Sequence, residues 1–180
     1  MAAERYSIGV DLGGTNLRAA AINENGSVLS RISGRTNLHE GREAVVEDIV
    51  EAIRAAIAEQ GEAGLTGVGV AVPGFIEMEK GLVVGSSNLP QFDGFPVRDE
   101  ISRSLGTAVF LENDANAAAM GEKWIGAGKD VHSLVLLTMG TGIGGGIIAG
   151  GRILHGMTGM AGEVGHTTVY PDGNPCGCGN

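Results

Sequence analysis

Where this chain places its glycines constrains it more than any other feature. Of 32 glycines in 180 residues, fourteen lie between Met139 and Asn180. Globular chains average about 7% glycine, so the excess calls for a collagen-like, a low-complexity or a loop-rich globular chain. There is no Gly-X-Y period and 43% of the residues are hydrophobic, which removes the first two classes. What remains is a globular chain whose glycines gather in loops of the phosphate-holding type.

Two such loops stand out. Asp11-Leu12-Gly13-Gly14-Thr15-Asn16 falls in the turn between two predicted strands. Its glycines let backbone N–H groups approach a polyanion, and Thr15 adds a hydroxyl donor. Asp11 beside such a loop would repel phosphate unless a divalent cation stood between them, which implies Mg2+. The same residues also suit a tight hairpin with no ligand. The second loop runs from Thr138 to Gly146, and Gly140, Gly142 and Gly145 satisfy G-x-G-x-x-G after a strand. A dinucleotide fold needs a helix next, to hold the pyrophosphate at its N-terminus. Here Ile147-Ile148-Ala149-Gly150-Gly151 reads as strand and turn. A P-loop is excluded because no Gly-Lys-Ser/Thr occurs.

Hydrophobic periodicity places these loops in an α/β pattern. Strands are predicted over Tyr6–Leu12, Leu17–Ile22 and Val28–Ile32, with a turn at Asn23-Glu24-Asn25-Gly26. Val46, Ile49, Val50, Ile53 and Ile57 mark one face of a helix. Thr66–Val72 reads as a strand buried on both faces, stopped by Pro73-Gly74. A short strand at Leu82–Val84 follows, then a helix marked by Val97, Ile101 and Leu105 that closes at Gly106. Next come a strand over Thr107–Glu112 and a helix over Ala115–Ile125. The strand-turn-strand opening then begins again, with Leu134–Thr138, Ile143–Ala149 and Arg152–Leu154. Gly126-Ala127-Gly128-Lys129-Asp130 is the expected boundary, giving domains 1–128 and 129–180.

Charge and cysteine use narrow the setting. Twelve basic against twenty-one acidic residues give a net charge of −9, and Lys and Arg form no cluster. Nucleic acid and anionic membrane are therefore not expected as partners. Two cysteines near the end form no disulfide framework, and a cytoplasmic setting is expected. Ser133–Gly151 carries no charge over nineteen residues, but seven are glycine, so a strand pair is expected rather than a membrane span.

Three constellations could carry chemistry. Glu112-Asn113-Asp114-Ala115-Asn116 lies where a strand ends and a helix begins. Asp114 there suits a helix N-cap, or a general base at the edge of the sheet that takes the proton of a substrate hydroxyl. Glu163 and His166 are three apart and share one side of a helical turn, suited to vicinal sugar hydroxyls or to a solvated turn. His166, Cys176 and Cys178 resemble a zinc site, which needs a fourth ligand to close, or leave two unpaired thiols.

Two glycine-Thr hairpins, each opening an α/β unit, resemble the phosphate loops of the actin, hexokinase and Hsp70 ATPase superfamily. Asp-Leu-Gly-Gly-Thr-Asn, Glu-Asn-Asp-Ala-Asn, Gly-Thr-Gly-Ile-Gly-Gly-Gly, Gly-Glu-Val-Gly-His and Cys-Gly-Cys-Gly-Asn together resemble the repressor–ORF–kinase (ROK) family of sugar kinases. The likeness covers Ser7 to Asn180 in the family's order, and within the family it is closest to the bacterial glucokinase branch. It implies a ribonuclease-H-like βββαβαβα domain, a second such domain begun, and ATP-dependent phosphorylation of a hexose, foremost glucose.

The resemblance assigns roles residue by residue. Asp114 would be the catalytic base. Asn113, Glu163 and His166 would hold the sugar, helped by Gly74, Ser87 and Asn88. Asp11, Gly13, Gly14, Thr15 and Asn16, with Gly140, Thr141, Gly142, Gly144 and Gly145, would hold ATP and its Mg2+. His166, Cys176 and Cys178 would bind a structural Zn2+. The family motif continues as Cys-x-Cys-Gly-x-x-Gly-Cys-x-Glu, whereas the sequence given ends at Asn180, so the chain is expected to be an N-terminal portion with little activity by itself. The full-length form is expected to be a homodimer or homotetramer. Mannose, fructose, N-acetylmannosamine and polyphosphate stay open as substrates. A sugar-responsive transcription regulator and a non-catalytic sugar-binding fragment stay open as functions.

Overall fold

A computed structural model describes residues 3–86, 88–140, 142–176 and 178–179. They form two compact units, Met1–Asp114 and Ala115–Asn180.

The first unit is built on a five-stranded sheet of order β3-β2-β1-β4-β7. Its members are β1 (Tyr6–Leu12), β2 (Asn16–Asn23), β3 (Val28–Arg35), β4 (Leu65–Val72) and β7 (Val109–Asn113). β1, β2 and β3 pair antiparallel, while β4 runs parallel to β1 and β7 parallel to β4. In β1, Tyr6, Ile8, Val10 and Leu12 are buried and Ser7, Gly9 and Asp11 exposed, the period of a strand with one covered face. Helix α1 (Arg42–Gln60) covers that face, burying Val45, Val46, Ile49, Val50 and Ile53 against β1, β2 and β3. Helix α2 (Val97–Leu105) adds Val97 and Ile101 to the core. It closes at Gly106, whose φ of 72° is left-handed, as Gly at that position predicts.

Two features differ from expectation. β4 alternates: Val68, Val70 and Val72 are buried, while Thr66 is exposed and Gly67, Gly69 and Ala71 are half-buried. Its apolar run is half glycine and alanine, which offer little side chain to bury, so the run did not mean two covered faces. The turn after β4 also holds a strand the sequence hid. β5 (Phe75–Glu77) pairs antiparallel with β6 (Leu82–Gly85), and three residues are too few for a period to show.

Helix α3 (Asp114–Trp124) opens on the residue after β7, and from Ala115 onward the chain belongs to the second unit. That division falls ahead of the expected boundary at 128, because Ala115 and Ala119 of α3 lie against Gly144 and Gly146. The second unit's sheet has order β10-β9-β8, with β8 (Leu134–Met139), β9 (Ile143–Ala149) and β10 (Arg152–Ile153) all antiparallel. The uncharged stretch from Ser133 thus forms a strand hairpin, and no helix among the described residues is long and apolar enough to cross a membrane.

Candidate active site

Because β1, β4 and β7 run parallel, their C-terminal ends fall on one edge of the first unit's sheet. The register aligns Asp11 with Ala71 and Ala71 with Glu112. The segments leaving that edge are the Gly13–Asn16 loop after β1, Pro73-Gly74 after β4 and Asp114 after β7. Topology therefore gathers residues from three distant stretches of sequence, at the place where open α/β sheets bind ligands.

Hydrogen bonds fix the details. Asn113, buried, donates from Nδ2 to the carbonyl of Gly74 at 3.1 Å. Gly74 has φ +113°, and a Cβ there would lie 2.7 Å from the Ser86 Cβ and against the Gly85 carbonyl, so only glycine fits. The Ser86 hydroxyl oxygen accepts from the Leu89 N–H at 3.1 Å, turning the chain through Asn88. A Cβ on Gly14 would stand 3.6 Å from the Asn88 carbonyl oxygen, so this segment borders the first glycine loop. Ser87 lies outside the described residues. In the loop itself, Gly13 N–H donates to the Asn16 carbonyl at 2.9 Å. Asp11 is exposed, with Arg18 Nη1 3.8 Å from its Oδ2 across the β1–β2 pair; such a pair contributes little to stability.

In the second unit the glycines divide into two kinds. Around Gly140 and Gly142 no atom lies within 4 Å of where a Cβ would stand, and Gly140 N–H donates to the Gly142 carbonyl at 2.9 Å. Thr141 lies outside the described residues. Gly144, Gly145 and Gly146 are packed. A Cβ on Gly144 would lie 2.6 Å from Thr138 Oγ1, and one on Gly146 2.7 Å from the Ala119 Cβ. A Cβ on Gly145 would meet the Gly162 carbonyl, and one on Gly165 the Ile143 carbonyl. The hairpin thus lies backbone to backbone against the turn carrying Glu163 and His166.

That turn is a 3-10 helix over Val164–His166. It brings Glu163 Oε2 to 3.6 Å from His166 Nε2, while His166 Nδ1 lies 3.6 Å from Cys176 Sγ. The ligand atoms of His166, Cys176 and Cys178 all lie within 4.8 Å of one another. Tetrahedral zinc sets neighbouring N and S ligand atoms about 3.5 Å apart, a separation that His166 and Cys176 match at 3.6 Å, with Cys178 within 4.8 Å of both. The Cys176 thiol is pulled from its ordinary 9.0 to about 7, first by hydrogen bonds to Cys178 and then by His166. That brings the metal-binding thiolate form near neutrality.

Sequence reasoning missed Thr36. Its hydroxyl donates to the Gly13 carbonyl at 2.8 Å. Threonine after a strand carries no signal, and its partner is distant in sequence.

The chain is 40% identical over 179 residues to a glucokinase of Halalkalibacterium halodurans, covering 98% of this chain and 54% of that protein. It is 35% identical over 175 residues to a xylose repressor of Caldicellulosiruptor bescii, covering 96% and 44%. The crystal structure of a ROK family glucokinase from Streptomyces griseus in complex with glucose and AMPPNP superposes with a TM-score of 0.86. It is 36% identical and covers 97% of this chain and 54% of that one. The chain therefore spans about half the length of these kinases, and its fold is that of the actin-like ATPases to which they belong. With residues 7–180 matching the family model, this chain belongs to the ROK family.

Proposed function

We propose that the protein containing this chain phosphorylates a hexose, foremost glucose, at the expense of ATP. The observation that carries the reading is the common edge of β1, β4 and β7, where a phosphate-type loop, Asn113 and Asp114 emerge together. The similarity to glucokinases, one of them with glucose and AMPPNP in its structure, supports it.

In this reading Asp114 takes the proton of the sugar 6-hydroxyl as that oxygen attacks the γ-phosphorus of ATP. The bond from the γ-phosphorus to the bridging oxygen breaks, and ADP leaves. Asn113, Gly74, Asn88, Ser87, Glu163 and His166 are the residues that the resemblance assigns to sugar hydroxyls. The loop of Gly13, Gly14, Thr15 and Asn16, closed on itself by the Gly13 N–H, would present the Gly14 and Thr15 N–H groups to phosphate, and the Gly140–Gly145 hairpin is the other proposed phosphate-holding loop. Asp11, an exposed carboxylate beside the first loop, suits a cation that is commonly bound by one or two carboxylates plus substrate phosphates; when bound, Mg2+ supplies charge neutralisation. Positioning and such neutralisation carry most of phosphoryl transfer. His166, Cys176 and Cys178 would hold a zinc ion that fixes the sugar-binding turn.

A coupled assay of the complete protein with glucose and ATP tests this directly. ATP-dependent formation of glucose 6-phosphate supports it. The likeness to a xylose repressor favours a second reading, a sugar-responsive regulator. Calorimetric sugar binding with no turnover would favour that one. We expect the 180-residue chain by itself to turn over far more slowly than the complete protein.

A further inference from the structure

Thr36 follows β3 and is 8% exposed. Its Oγ1 donates to the Gly13 carbonyl at 2.8 Å, and its backbone N–H donates to the Thr15 carbonyl at 3.1 Å. The next residue anchors it. Asn37 donates from its backbone N–H and from Nδ2 to the two carboxylate oxygens of Asp48, at 3.1 and 3.0 Å. Asp48 belongs to α1, which is seated in the core through Val45, Ile49 and Ile53. One side of the first glycine loop is thus tied through two residues to the most firmly packed helix of the unit.

The direction of that tie matters. In a trans peptide, C=O and N–H point to opposite sides, and no described peptide bond is cis. Holding the Gly13 carbonyl against Thr36 therefore turns the Gly14 N–H the other way. A polyanion is bound by such N–H groups and repelled by carbonyl oxygens, and a glycine-glycine peptide has little steric resistance to flipping. We infer that Thr36 is a positioning residue: its hydroxyl keeps the Gly13–Gly14 peptide in the orientation that presents N–H to the nucleotide's phosphates. The inference rests on the kinase reading above.

The test uses the complete protein, with Thr36→Val, which keeps the shape and removes the hydroxyl, and Thr36→Ser, which restores the donor. Steady-state KM is measured for ATP and for glucose, and folding is followed by circular dichroism. Thr36→Val is expected to raise KM for ATP about tenfold, the equivalent of one hydrogen bond, with KM for glucose little changed. Thr36→Ser is expected to return KM for ATP close to the parent value. A merely structural role would move both constants together or lower the folded fraction, without rescue by serine. An unchanged KM for ATP in Thr36→Val, or an equal rise for both substrates, overturns the inference while parent turnover leaves the kinase reading standing. A parent protein with no ATP-dependent turnover overturns both. If Thr36→Val does not fold, Asp48→Asn, which loosens the Asn37 anchor, takes its place, with a smaller rise in KM for ATP expected and no change overturning the inference.

Discussion

Asn113 Nδ2 donates to the Gly74 carbonyl at 3.1 Å, joining the residue before the proposed base to the turn that leaves the neighbouring strand. The bond works only while Gly74 keeps its φ of +113° and its close approach to Ser86. Gly74→Ala should therefore cost about 1–3 kcal/mol of stability, read by urea denaturation, and raise KM for the sugar. A variant of unchanged stability and unchanged KM would contradict this account of the turn.

Asp114 opens α3 directly after β7. If it is the general base, Asp114→Asn keeps the size and helix position while removing proton acceptance. We expect kcat to fall by about 10²–10⁴-fold while calorimetry still detects glucose. A variant that retains turnover would show that Asp114 is only a cap.

The two kinds of glycine in the second hairpin should respond differently to one methyl group. Gly145→Ala drives a Cβ into the Gly162 carbonyl and should cost about 1–3 kcal/mol. Gly142→Ala meets open space and should stay within about 0.5 kcal/mol, with any effect appearing in KM for ATP. Thermal unfolding of both variants decides the matter; equal losses would refute the division.

Zinc content is a separate measurement. Elemental analysis of the complete protein should find zinc, and His166→Ala or Cys176→Ser should lower its stoichiometry. Zinc retained in full by both variants would remove these residues from the ligand set.

Tyr6 gives a pH-dependent test. Its hydroxyl donates to the Gly61 carbonyl at 2.8 Å, and burial, followed by the charge of Glu62, raises its phenol above the ordinary 10.0. The folded state thus favours the neutral phenol. The stabilisation is fully present below the unfolded value of 10.0 and is lost as pH rises through the higher folded value. Tyr6→Phe should cost about 1 kcal/mol at neutral pH and flatten the alkaline fall in stability, followed by denaturation at several pH values.

Much of this was readable from residue order. The alternation through Tyr6, Ile8, Val10 and Leu12 and the helical spacing of Ile49 and Ile53 write their burial into the sequence, because those periods are the geometry of strand and helix. Phe75–Glu77 was not readable, since its pairing with β6 depends on a turn and not on a period. Nor was the division at Asp114, because Ala115 and Ala119 fit against Gly144 and Gly146 through the smallness of both partners, which composition does not distinguish from ordinary helical alanine. The candidate residues from Asp11 to Asn16 and from Asn113 to Asp114 stand out in the sequence as motifs. Thr36 was not, because its role comes from where one hydroxyl points.

The glycine hairpin of the second unit consequently answers to two masters. Gly140 and Gly142 are open to whatever molecule approaches, and their tolerance to change is a matter of chemistry. Gly144, Gly145 and Gly146 are closed against their own chain, and theirs is a matter of assembly. A single written motif from Gly140 to Gly146 thus overlays a proposed recognition element on a folding element, and a variant library across it would sort into variants that keep their stability on one side and destabilised ones on the other.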